Sequence, residues 1–296
     1  MPCYHPIRAW KCVDGSVVFV ERLGRGNVSK SLFLACGQCV GCRLERSRQW
    51  AIRCIHEASL YDRNCFVTLT YDNDHLPADM SLCYRDFQLF MKRLRKRFGA
   101  DIRFYMCGEY GETTSRPHFH ACLFNFDPPD KLPLRSLGPS KLFRSEALSE
   151  VWPFGHVAIG AVTFESAAYV ARYVMKKVNG DLAEAHYRYV DDDGVIHNRT
   201  PEFNRMSLKP GIGARWLDKY SSDVYPSGEV VVRGVASMPP RYYDRRFDAV
   251  NPDMLEDVKF SRELRAREKV ADQSDERLAV REQVAAARVS SLKRKV

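Results

Sequence analysis

His118 and His120 stand two residues apart, separated by Phe119 and preceded by Arg116-Pro117. Successive side chains of a β-strand point to opposite faces, so on a strand both imidazoles share one face while Phe119 enters the opposite layer. That is a ready pair of metal ligands on a rigid support. Two imidazoles suit Mn²⁺ or a similar borderline ion, and a carboxylate would complete the site for a harder cation such as Mg²⁺. Glu109, in Gly108-Glu-Tyr-Gly111, stands at the end of the preceding strand and reaches the histidine face if the two strands pair as a hairpin; Glu112 is the alternative.

Further along, Tyr169 and Tyr173 occur in Tyr169-Val-Ala-Arg-Tyr173-Val-Met-Lys176-Lys177. Phenols four residues apart share one face of a helix. A metal site together with paired tyrosines reads as phosphodiester chemistry with tyrosine as nucleophile. Mg²⁺ or Mn²⁺ would stabilise charge on the non-bridging oxygens and orient the scissile phosphate. A covalent 5′-phosphotyrosine conserves the energy of the phosphodiester, so a later hydroxyl can reseal the strand. Lys176, on the same side of the helix as Tyr173, is placed to stabilise its phenolate or to hold a phosphate oxygen. Arg116, Arg172 and Lys177 are candidate clamps on a DNA backbone. Each feature also has a bland reading: surface histidines, packing tyrosines, a glutamate capping a turn. Their joint occurrence in a basic chain favours chemistry.

The balance of 46 Lys and Arg against 37 Asp and Glu leaves a net charge of +9 over 296 residues. Such an excess points to a polyanionic partner. The hydrophobic share of 45% and charged share of 28% are ordinary for a globular chain. With no apolar run long enough for a bilayer and no secretory signal pattern, the expected location is the cytoplasm, with no membrane partner.

All ten cysteines lie in the first 122 residues, and three form Cys36-x-x-Cys39-x-x-Cys42. Clustered cysteines in a cytosolic chain suggest metal rather than disulfides. A structural Zn²⁺ would need a fourth ligand, which Cys3, His5 or Cys12 could supply; the alternative is a set of free thiols near a turn.

These residues must be positioned by regular elements. Ser16–Val20 and Cys65–Tyr71 read as strands, as do Ile102–Cys107, His118–Phe124 and His156–Ile159. Helical periodicity marks Leu44–Leu60 and Arg85–Phe98, the latter with Phe87, Phe90, Met91, Leu94 and Phe98 as its stripe and Gly99 as its stop. Its other face carries Lys92, Arg93, Arg95, Lys96 and Arg97, either solvated or tracking phosphates. A short helix is expected over Ser145–Trp152, a tyrosine helix over Glu165–Lys177, and charged helices from Asp253 onward. The order predicts an α+β fold, a mostly antiparallel central sheet flanked by helices, of the split βαβ or RRM/ferredoxin-like kind. The expected segments are a cysteine-containing 1–60, a catalytic core 61–180, accessory strands and loops 181–250, and a charged helical tail 251–296.

Thr68-Leu-Thr70, Gly108-Glu-Tyr-Gly111, Arg116-Pro-His-Phe-His120 and Tyr169–Lys176 together resemble the ordered motifs of HUH rolling-circle replication initiators. The nearest likeness is to the Microviridae, gokushovirus type, single-stranded DNA phages. Met1-Pro-Cys-Tyr-His-Pro6, the cysteine cluster and Arg205–Gly213 also look like that group, so the likeness spans most of residues 1–250. The resemblance implies an endonuclease that nicks one strand of the replicative form at an origin, stays linked to the 5′ end and rejoins the displaced strand. It implies that His118 and His120 bind the metal, that Tyr169 and Tyr173 alternate as nucleophiles, and that Lys176 assists. Glu109 as third ligand is inferred from position. It also implies an RRM-like sheet with the metal site on an exposed face. No Walker A motif is present, so helicase and polymerase would come from the bacterial host.

Three other readings compete. An HUH relaxase, transposase or plasmid initiator would share the chemistry. A non-catalytic RRM-like module would bind single strands by stacking and charge, without needing a divalent ion. A hydrolase using water would leave no protein–DNA adduct.

Overall fold

The computed structural model describes residues 3–19, 28–134, 141–172, 180, 182–191 and 193–291. The chain forms two compact units, one from residues up to Arg46 together with those from Lys259 onward, the other Ser47–Val258.

The first unit opens with strands β1 (Ile7–Cys12), β2 (Val17–Val18) and β3 (Val28–Leu34), antiparallel in the order β2-β1-β3. The strand expected over Ser16–Val20 shrinks to Val17–Val18 among the described residues. Ser16 is claimed by the turn before it: its carbonyl accepts from the Cys12 N–H at 2.8 Å, and Asp14 Oδ1 accepts from its N–H at 2.9 Å. Helix α1 (Val40–Ala58) starts four residues earlier than its apolar periodicity indicates, because the Cys39 carbonyl already accepts from the Arg43 N–H at 3.0 Å. Cys42 therefore lies in its first turn.

The second unit is built on β4 (Asn64–Tyr71), α2 (Tyr84–Phe98), β5 (Arg103–Tyr110), β6 (Pro117–Phe124), the short β7 (Leu132–Pro133) and β8 (Phe143–Arg144), α3 (Glu146–Val151) and β9 (Gly155–Gly160). Helix α4 (Phe164–Arg172), α5 (Leu182–Tyr187), the β10–β11 hairpin (Arg188–Val190, Ile196–Asn198) and β12 (Phe203–Met206) follow. Next come α6 (Ala214–Val224), the β13–β14 hairpin (Val230–Val232, Val235–Ser237) and α7 (Arg241–Asp248). Helices α8 (Pro252–Arg267) and α9 (Asp275–Ser291) close the described chain; within the first unit Lys30 Nζ lies 2.8 Å from Glu263 Oε1 of α8. No helix among the described residues is long and apolar enough to cross a membrane.

Seven strands of the second unit form one antiparallel sheet in the order β12-β5-β6-β4-β9-β8-β7. Its middle, β5-β6-β4-β9, carries α2 between β4 and β5 and α3 between β6 and β9, the split βαβ arrangement. Phe87, Phe90, Met91 and Leu94 of α2 recur at helical spacing, and all are buried against Val67, Leu69, Met106, Phe119, Ala121 and Leu123 of the sheet. Asp86 in the first turn of α2 and Arg95, Lys96 and Arg97 in its last turn complement the helix dipole. Ser145 caps α3, its hydroxyl accepting from the Leu148 N–H at 3.1 Å.

The opposite face carries Phe66, Tyr105, Cys107, Cys122 and Phe124, and it is also covered. Ala51 and Cys54 of α1, Ala167, Val170 and Ala171 of α4, and Ile212 pack upon it. The sheet keeps the RRM-like order, but the exposed face expected for the site is corrected: helices cover both faces. Beneath the second layer runs a buried ionic network. Arg103 Nε donates to Glu57 Oε1 at 2.5 Å, and Glu57 Oε2 accepts from the Gly213 N–H at 2.6 Å. With its partners in place the carboxylate anchors α1 to β5 and to the entrance of α6; removing either side would strand a buried charge.

Candidate active site

The strand register assembles the site. Glu109 of β5 lies opposite His118 of β6, and His120 lies between Cys107 of β5 and Thr68 of β4. Because side chains alternate, Thr68, Glu109, His118 and His120 all project from the face covered by α1 and α4, whereas Phe119 is fully buried in the α2 layer. Gly108 permits close packing behind Glu109: a Cβ there would stand 3.1 Å from both Leu82 Cδ2 and Phe203 Cζ. Strand β5 extends past the expected Cys107 to Tyr110, so Glu109 is held inside the ladder rather than at its end.

Glu109 Oε1 lies 2.8 Å from His118 Nε2 and 3.6 Å from His120 Nε2. The other ring nitrogens are engaged behind the site. His118 Nδ1 lies 3.0 Å from the Arg116 carbonyl, which can only accept, and His120 Nδ1 lies 2.9 Å from Thr68 Oγ1. With Nδ1 protonated toward these oxygens, each histidine presents Nε2 to the centre, the usual way a protein fixes the tautomer of a metal-binding imidazole. Burial alone would raise the Glu109 carboxyl, but the hydrogen bond with His118 and the positive charge of the two imidazoles, when each also carries a proton on Nε2, hold it below the ordinary carboxylate range.

A carboxylate oxygen of this cluster is left over. Glu109 Oε2 is buried and has no hydrogen-bond partner among the described residues. A buried carboxylate oxygen is costly to leave unsatisfied, and a cation is its natural partner. The ligand atoms of Glu109, His118 and His120 all lie within 4.8 Å of one another. Two imidazoles and one carboxylate therefore fit a divalent ion. Glu112 is exposed and stands apart from this group.

The Tyr169 ring packs edge-on to His120, with centroids 5.1 Å apart, while His120 stacks on Phe66 at 5.6 Å. Helix α4 is fastened at several points. Thr163 and Ser166 cap its start reciprocally, Thr163 Oγ1 accepting from the Ser166 N–H at 3.1 Å and Ser166 Oγ from the Thr163 N–H at 2.8 Å. Ser47 Oγ donates to the Ala168 carbonyl at 2.9 Å, and Asn204 Nδ2 donates to the Val170 carbonyl at 3.0 Å and to the Met106 carbonyl at 3.2 Å. Thr68 belongs to the Thr68-Leu-Thr70 motif but is given no role by the sequence, and Ser47 and Asn204 carry no sequence signal. The strand pairing shows what Thr68 does.

Tyr173, Lys176 and Lys177 lie outside the described residues. Arg172 is half-buried on α4, and the Arg116 guanidinium donates to the Asn73 side-chain oxygen. The basic side of α2 belongs to the layer opposite Tyr169, and two of its members are occupied locally: Arg95 bonds the Ile102 carbonyl and Arg97 pairs with Glu150. Cys3, Cys36, Cys39 and Cys42 come together in the first unit. Of the other two proposed fourth ligands, His5 Nε2 lies 2.7 Å from Glu282, and Cys12 is buried outside the group.

Residues 64–178, from the start of β4 and including every member of the Glu109–His118–His120 group, match the family described as replication-associated protein ORF2/G2P. The chain is 36% identical to replication-associated protein VP4 of Bdellovibrio phage phiMH2K, over 93% of this chain and 88% of that protein. It is 30% identical to replication-associated protein ORF2 of Spiroplasma virus 4, over 84% and 81% of the two chains. With replication-associated protein ORF4 of Chlamydia phage 1 it shares 31% identity, over 79% of this chain and 58% of the relative. No solved structure matches it. On the strength of the first two likenesses, the chain belongs to the replication-associated proteins of the Microviridae type.

Proposed function

We propose that this protein initiates phage DNA replication as a metal-dependent HUH endonuclease, nicking and rejoining one DNA strand at the origin through a 5′-phosphotyrosine. The observation that carries this reading is the convergence of Glu109, His118 and His120 within 4.8 Å, with the Tyr169 ring 5.1 Å from His120. Mg²⁺ or Mn²⁺ held by the three side chains would supply Lewis-acid stabilisation of phosphate oxygens. The protein's own groups do the rest. Tyr169 Oη attacks phosphorus in line; the P–Oη bond forms as the P–O3′ bond breaks. The phenol gives up its proton, and the departing 3′ oxygen gains one. Since one phosphodiester replaces another, a 3′ hydroxyl can reverse the step and close the strand.

Tyr173, four residues on, supplies a second phenol for the second transfer, and Lys176 holds a phosphate oxygen. Arg116, Arg172 and Lys177 bind the backbone of the single strand. The +9 charge suits a polyanionic substrate. Unwinding and synthesis fall to a helicase and polymerase of the bacterial host, in whose cytoplasm the protein acts.

A covalent-adduct assay tests this. The protein is incubated with circular single-stranded DNA carrying the cognate origin, with Mg²⁺ or Mn²⁺ and separately with EDTA. Products are resolved on a denaturing gel, and adduct peptides are mapped by mass spectrometry. The expected result is a metal-dependent adduct on Tyr169 or Tyr173. Cleavage without an adduct would assign a hydrolase, and binding with neither would assign a non-catalytic DNA-binding module.

A further inference from the structure

The cysteine cluster of the first unit lies outside the chemistry described above. Cys3, Cys36, Cys39 and Cys42 bring four sulfurs within 4.8 Å of one another, and Cys36 Sγ lies 3.9 Å from Cys42 Sγ. No disulfide joins any of them. A disulfide would require a separation of about 2 Å. A single tetrahedral ion with metal–sulfur bonds of about 2.3 Å sets its sulfurs about 3.8 Å apart, close to the spacing observed. A four-iron cluster interposes iron and sulfide between its thiolates and holds them wider than this group allows.

The surroundings are built for thiolates. Backbone N–H groups are directed at three of the four sulfurs: Cys36 N–H at Cys3 Sγ (3.3 Å), Cys39 N–H at Cys36 Sγ (3.4 Å) and Tyr4 N–H at Cys39 Sγ (3.4 Å). Donors aimed at a charged acceptor are the stronger kind of hydrogen bond and orient metal-bound sulfur. The position in the fold is equally specific. Ile7 of β1 pairs with Leu34 of β3, so Cys3 and Cys36 leave the same end of that ladder, and Cys42 sits in the first turn of α1.

We propose that Cys3, Cys36, Cys39 and Cys42 bind one zinc ion as a four-thiolate structural site, clasping the open end of the β1–β3 ladder to the first turn of α1. Because such a site does not exist in the unfolded chain, the ion's binding energy becomes folding energy for this unit.

The test uses the full-length chain carrying His118→Ala and His120→Ala, so that metal at the replication site does not enter the count. Elemental analysis is expected to find one zinc per chain. Cys36→Ser with Cys39→Ser should lose it. A second measurement avoids cysteine variants: replacing the metal with Co²⁺ in this same background should give thiolate-to-cobalt charge transfer and intense tetrahedral d–d bands. Protein without zinc whose cobalt form lacks those bands would overturn the proposal, as would iron with acid-labile sulfide. None of these outcomes depends on nicking activity, so the zinc site and the endonuclease reading fail separately.

Discussion

Glu109 and His118 face each other across the β5–β6 ladder, with Oε1 2.8 Å from Nε2. Neither side chain is placed by a flexible loop. Both are carried by paired strands whose reverse side is packed core, so the acceptor and the imidazole are preorganised by the sheet.

Replacing Tyr169 and Tyr173 together by Phe removes both phenolic oxygens and little else. The expected outcome is complete loss of the covalent adduct and of strand cleavage, with affinity for origin single strands within about twofold of the parent. A double variant that still nicks would remove tyrosine from the mechanism; gel electrophoresis and filter binding give the two readouts.

Thr68→Val keeps the shape of the side chain and deletes the oxygen that lies 2.9 Å from His120 Nδ1. Loss of such a supporting contact costs about 10–100-fold in metal affinity or activity. The Mn²⁺ concentration needed for half-maximal cleavage should rise accordingly. An unchanged Mn²⁺ requirement would show that Thr68 does not orient His120.

His56 sets a pH dependence of stability. Its ring stacks on Trp216 with centroids 3.5 Å apart, its Nδ1 lies 3.0 Å from the Tyr243 hydroxyl, and burial pushes its pKa down from 6.5 to about 4. Between those values the unfolded chain binds the proton that the folded chain refuses. Stability is therefore full above the unfolded value and falls as pH drops through the window, by about 3 kcal/mol in all. Urea titrations at about pH 7 and about pH 5 should show the loss, and His56→Gln should lose less on acidification than the parent.

Gly155 opens β9 at φ +147°, where a Cβ would run into the Thr70 carbonyl and the Asp72 amide. Gly155→Ala is expected to destabilise by more than about 1 kcal/mol, read as a lowered denaturation midpoint. An unchanged midpoint would mean that the β4–β9 end can open without cost.

The sequence made the central sheet legible because its signals are local. The β-branched and aromatic run at Cys65–Tyr71 and the stripe Phe87, Phe90, Met91 and Leu94 each declare a strand or a helix without help from distant residues. The His118–His120 spacing declares a shared face in the same way. What could not be read was long-range. Cover over the site face comes from Ala51, Cys54, Ala167 and Val170, residues whose small apolar side chains look alike whether they pack on a sheet or on another helix. The support that Ser47 and Asn204 give to α4 spans 121 and 34 residues, beyond any periodicity. Ser16 was misread because a turn's hydrogen bonds outcompeted its strand-like neighbours.

The alternation along β6 gives Phe119 to the core and His118 and His120 to the site, so stability and chemistry are written in one reading frame of the strand. A one-residue slip of Pro117–Phe124 against its neighbouring strands would send the phenyl ring toward the ligands and the imidazoles into the oily layer beneath α2. The Gly111–Ser115 part of the connection carries no such double duty. Length changes in phage variants should therefore accumulate in that turn and be purged from the strand, even where the altered strand retains every histidine.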